Sequence, residues 1–105
     1  MLEIKKNKIS MIKGDTTHLN VSMNGYTYSE GDTITLTLKQ SIEDEAVVLQ
    51  KTVAANQPIC LVCEDTNAIA AGRYVYDIQL DTAAGEVYTV VNPNTFTIKE
   101  GVNCD

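Results

Sequence analysis

The chain has no tryptophan, one phenylalanine, one histidine and two prolines, and basic residues are few. Each shortage removes a class of function. Any histidine base or hydrolytic triad must use His18, and no serine or cysteine motif around it marks a nucleophile. Eight Lys and Arg stand against 14 Asp and Glu, for a net charge of −6. Phosphate binding needs clustered cations that displace counterions, so this balance excludes a nucleic-acid partner. Lys5, Lys6 and Lys8 are the only basic grouping, and they read as a solvated edge near the terminus. No apolar run is long enough to span a membrane, and MLEIKKNKIS has no apolar stretch after its charges. No membrane partner is expected, and synthesis in the bacterial cytoplasm is. The six glycines are scattered through turns, which leaves no phosphate-cradling loop and no expected cofactor.

What is present is alternation with a period of two. In THLNVSMN, Leu19, Val21 and Met23 share one face, and His18, Asn20 and Ser22 the other. TITLTLK sets Ile34, Leu36 and Leu38 against Thr33, Thr35 and Thr37. GRYVYDIQL sets Tyr74, Tyr76, Ile78 and Leu80 against Arg73, Val75, Asp77 and Gln79. Such alternation marks strands with one buried and one wet face.

The first two of these strands follow the same tripeptide, Gly14-Asp15-Thr16 and Gly31-Asp32-Thr33. Glycine relaxes the backbone and aspartate caps the turn, a register-setting device. A calcium loop needs more oxygen ligands than either copy offers. Further strands are expected at residues 8–13, with 2–5 pairing ahead of them, and at 46–53, 59–63 and 95–99. The last follows a turn at Asn92-Pro93-Asn94. EDTNAIAAG predicts one helical turn near residues 65–71, capped by Asp65 or Thr66 and ended by Gly72. About seven or eight short strands with frequent turns predict a single all-β domain over residues 1–100, an antiparallel β-sandwich with a closed barrel as the alternative. Residues 101–105 read as a loose tail.

Candidate chemistry is sparse. Cys60 and Cys63 are spaced as CxxC, but three positions apart on a strand puts them on opposite faces. A four-ligand zinc site from Cys and His alone needs Cys104 and His18 to converge, so no metal site is expected. An odd number of cysteines closes no disulfide framework and fits a reducing compartment. The acidic residues cluster at turns and read as solubility and edge protection, so the chain is expected not to be an enzyme. Tyr26 and Tyr28, between the second and third strands, are the candidate interface residues, because exposed tyrosine brings large contact area at low entropy cost.

Gly72-Arg73-Tyr74-Val75-Tyr76 resembles the tyrosine corner of immunoglobulin-like sandwiches, with Tyr76 where an antibody domain carries its second cysteine. More broadly, MIKGDTTHLNVSM, GDTITLTLKQSIEDEAVVLQKT, EDTNAIAAGRYVYDIQL, GEVYTVV and TFTI resemble the amino-terminal domain of baseplate upper proteins and related virion components of tailed phages and prophages of Gram-positive bacteria. The resemblance covers nearly the whole chain and rests on fold-building motifs, so it carries over no functional residue. It implies an immunoglobulin-like sandwich acting as a non-enzymatic virion structural or assembly protein in a baseplate, neck or capsid surface. Its partners would be other phage structural proteins and copies of itself, and its location the virion. A carbohydrate- or host-surface-binding module is the alternative. Two departures stand out. Ala84-Gly85 replaces an expected Asp-Gly, predicting a longer hairpin loop with Gly85 alone at positive φ. No helical stalk or fibre follows the sandwich, which suggests a stand-alone small protein.

Overall fold

A computed structural model describes residues 3–5, 8–21 and 28–101. The expected strand positions Ser22 and Met23, the interface candidate Tyr26 and tail residues 102–105 lie outside the described residues. Among the described residues, eight strands and one short helix follow in order: β1 (Glu3–Lys5), β2 (Lys8–Ile12), β3 (Thr17–Leu19), β4 (Thr33–Lys39), β5 (Leu49–Ala54), β6 (Ile59–Leu61), α1 (Cys63–Thr66), β7 (Gly72–Asp81) and β8 (Val87–Lys99). They form a six-stranded sheet, β1-β2-β8-β7-β4-β5, and a two-stranded sheet, β3-β6. The fold is all-β. Every pair is antiparallel except β2 with β8, which runs parallel from Ile9↔Phe96 to Ile12↔Lys99.

The alternation read from the sequence decides which face of each strand is buried. Ile34, Leu36 and Leu38 of β4 are fully buried, and their partners across the ladder are Leu80, Ile78 and Tyr76 of β7. Phe96 and Ile98 of β8 and Ile9 and Met11 of β2 extend the same layer. The small sheet closes the core with Leu19, Ile59 and Leu61. Each such side chain contributes about 1.5–3 kcal/mol on burial. Tyr76 meets Phe96 edge to face, with ring centroids 5.7 Å apart, a geometry the aromatic quadrupoles favour.

The repeated tripeptide builds the same turn twice. Asp15 N–H donates to the Ile12 carbonyl and Asp32 N–H to the Ser29 carbonyl, each at 3.1 Å. Gly14 and Gly31 hold φ of 90° and 93°, the third turn position where only glycine is unstrained in a type II turn. The copies then diverge. Gly14 N–H donates to Thr66 Oγ1 of α1 at 2.9 Å, pinning one end of the molecule. Asp32 pins the other. Only 4% exposed, it accepts from Ser29 N–H through Oδ2 and from Ala83 N–H through Oδ1, both at 2.9 Å. Its own carbonyl accepts from Ala55 N–H at 2.9 Å.

That Ala83 belongs to the β7–β8 hairpin. Gly85 N–H donates to the Thr82 carbonyl and Thr82 N–H to the Glu86 carbonyl, at 2.9 and 2.8 Å, with Gly85 at φ 91°. This is the longer loop expected for Ala84-Gly85, a type I turn closed by a glycine bulge.

Several boundaries differ from the sequence reading. The strand expected at 46–53 runs from Leu49 to Ala54. The helix spans Cys63–Thr66, earlier than the expected 65–71, and Val62 is its N-cap. Asp65 instead sits at the third helical position, where its Oδ2 accepts from Val62 N–H at 2.8 Å, and Gly72 opens β7. β6 accordingly stops at Leu61. Finally, Asn92-Pro93-Asn94 is no turn: β8 runs through it as one strand of 13 residues. The ladder shifts between Tyr76↔Asn94 and Ile78↔Val91, so residues 92 and 93 together oppose Asp77. A bulge tolerates proline because the extra residue needs no ladder N–H.

Asp32→Ala removes the acceptor of two hydrogen bonds to a carboxylate, each worth about 1.5–3 kcal/mol, whereas Tyr74→Phe removes one side-chain bond worth ~1 kcal/mol. Urea unfolding is expected to rank Asp32→Ala as clearly the more damaging, with m unchanged for both.

Candidate functional site

The sequence candidates fall in different parts of the fold. Tyr28 is half-buried, packs against the core edge and donates its hydroxyl to the Val21 carbonyl at 3.2 Å. With Glu30, Asp32, Ala54 and Asn56 it lines a hollow of about 260 Å³. His18 is exposed on β3 directly opposite the half-buried Cys60 of β6, so imidazole and thiol share one sheet face. Cys60 is a free thiol. Cys63 is not on that strand: it opens α1 and is disulfide-bonded, so the odd cysteine count does not exclude a disulfide here. Cys104 lies outside the described residues. Among the described residues no three of His, Cys, Asp and Glu converge to hold a metal, and no helix is long and apolar enough to cross a membrane.

The outer face of the large sheet carries a feature that alternation alone did not reveal. Its middle is uncharged hydroxyl and amide: Thr35 Oγ1 lies 3.0 Å from Thr52 Oγ1, and Gln50 Nε2 donates to Thr37 Oγ1 at 3.2 Å. Asp77 stands among these groups on β7, next to Thr37 of β4 in the ladder. The bulge at Pro93 on one side and Ile42 of the β4–β5 loop on the other wall it into a groove of about 60 Å³. Burial raises the Asp77 carboxyl above the usual 3.8, and the nearby Lys39 ammonium pulls it partly back. The sequence signal was the Pro93 break opposite an acid, but only the ladder register shows that the two are neighbours.

Large apolar side chains stand out elsewhere on the surface. Ile42 is 67% exposed and Val47 46%, both in the β4–β5 loop; Val87 is 58% and Tyr88 48%, at the start of β8. The Tyr88 hydroxyl donates to Glu86 Oε2 at 2.8 Å. That bond, the Glu86 charge and some desolvation hold the phenol above its ordinary value of 10.0, so it stays neutral at any physiological pH.

Among known proteins, no family model matches the chain, and neither does any curated protein or solved structure.

Because the folded Asp77 pKa lies above its unfolded value, the native state binds the extra proton and stability falls as pH rises through that interval. Asp77→Asn is therefore expected to be more stable than the parent at pH 7, with the difference vanishing well below pH 3.8, where the parent's Asp77 is protonated in both the folded and the unfolded state. Paired urea titrations at the two pH values measure it.

Proposed function

We propose that this chain is a non-enzymatic structural or assembly protein of a tailed-phage or prophage virion, an immunoglobulin-like sandwich working through protein–protein contacts. The observation that carries the contact reading is the set of exposed apolar side chains at Ile42, Val47, Val87 and Tyr88. Apolar groups at the two ends of the β4–β7 ladder, Ile42 and Val47 in one loop and Val87 and Tyr88 beside the hairpin, suit docking on a firmly tied frame, because little ordering entropy is lost on assembly.

The sandwich lineage draws support from two features. The order β2-β8-β7-β4-β5 opposite β3-β6 matches an immunoglobulin arrangement in which the last three long strands share a sheet and the second and fifth pair across from them. The Tyr74 hydroxyl donates to the Ala70 carbonyl four residues upstream, the bond that defines a tyrosine corner. Closed symmetry is the usual solution for repeated contacts between copies, so neighbouring virion proteins and copies of the same chain are the partners.

A carbohydrate- or host-surface-binding role is the second reading, favoured by the hollow that Tyr28, Glu30 and Asn56 line. An aromatic ring beside convergent polar groups is the usual makeup of a small-ligand site.

Light scattering after size exclusion, together with mass spectrometry of purified particles, tests the first reading. A discrete oligomer or a virion-borne chain is expected; a strict monomer absent from particles sinks it. On a glycan array, binding by the parent that Tyr28→Ala abolishes would establish the second.

A further inference from the structure

The groove around Asp77 combines three features that point to one kind of guest. Its floor is a half-buried carboxylate that, among the described residues, accepts no hydrogen bond and forms no ion pair within 4.0 Å. Partial withdrawal of a carboxylate from water is costly, and the Lys39 charge offsets only part of that cost. In the groove, Ile42, Val75 and Pro93 supply apolar lining beside the polar Thr37, Ser41 and Lys39. Its volume of about 60 Å³ has room for roughly four waters, or one compact polar head. The Pro93 bulge lies opposite Asp77, and bulges of this kind re-aim strands beside sites.

We propose that this groove receives an arginine side chain of a protein partner. The guanidinium meets the Asp77 carboxylate, and the methylene stem lies along Ile42 and Pro93. Arginine suits the site better than lysine. Its planar fork pairs two-fold with a carboxylate, and it is the more weakly hydrated cation. The chain's net charge of −6 draws a basic partner from a distance. Lys39 stands at the rim without closing on Asp77. It disfavours a guest of its own sign, so the guest must gain by direct contact at the floor. The inference rests on the protein-contact reading above and names the chemistry of the partner.

The probe is N-butylguanidinium, titrated into the ¹⁵N-labelled full chain, with n-butanol and methyl α-glucoside as neutral controls. Saturable amide shifts confined to Thr37, Val75, Asp77 and Ile42 are expected, with none from n-butanol. Asp77→Asn is expected to weaken the probe about tenfold, and Lys39→Gln to tighten it. Both changes are on the solvent face and leave the core intact. Shifts spread over the whole acidic surface, equal affinity in Asp77→Asn, or saturation by methyl α-glucoside instead would overturn the proposal. A chain that binds the probe yet is absent from virions keeps the groove and loses the phage reading; the reverse result separates the two in the other direction.

Discussion

The buried carboxylate of Asp32 is the constraint on which one end of the molecule depends. Three segments distant in sequence meet there: the turn that launches β4, the loop after β5 and the β7–β8 hairpin. The buried Asp32 carboxylate joins them through its hydrogen bonds, and bonds from N–H groups to a carboxylate are stronger than neutral ones. Gly31 makes the approach possible: a Cβ there would lie 3.0 Å from the Cβ of Ala83. The second copy of the tripeptide works at the opposite end, where Gly14 N–H and Thr66 Oγ1 join the first turn to the helix.

With both ends tied, the middle of the large sheet is free to carry irregularity. β8 crosses it with two register shifts, one at residues 92–93 and one at Val90. Each shift changes which side chains face inward, so Val91 and Asn94, three residues apart, both stand opposite core residues of β7. The same shift opens the space over Asp77 on the outer face. The groove lies beside the bulge that accommodates proline, on a stretch of β8 that among the described residues pairs with β7 alone, and Pro93 is part of its lining.

The surface divides accordingly. The tyrosines of GRYVYDIQL are structural: Tyr74 ties the corner before β7 and Tyr76 packs against Phe96. Tyr88, on the next strand, is exposed and neutral.

Alternation in the sequence alone determined the core, because a period of two leaves only one way to bury Ile34, Leu36 and Leu38 against Tyr76, Ile78 and Leu80. It also made the two Gly-Asp-Thr turns legible, since glycine and aspartate have local reasons to be there. The helix boundary was misjudged because Asp65 caps from the third helical position, and a local pattern does not distinguish it from an N-cap. Proline at residue 93 predicts a turn because a missing N–H breaks a regular ladder; β7 pairs with β8 on both sides of it, at Val91 and Asn94, and a bulge keeps the chain extended. Pairings such as His18 with Cys60, Asp32 with Ala83 and Asp77 with Pro93 were invisible for a common reason. Each joins residues far apart in the chain, and their proximity is set by strand order and register, which only the folded sheet decides.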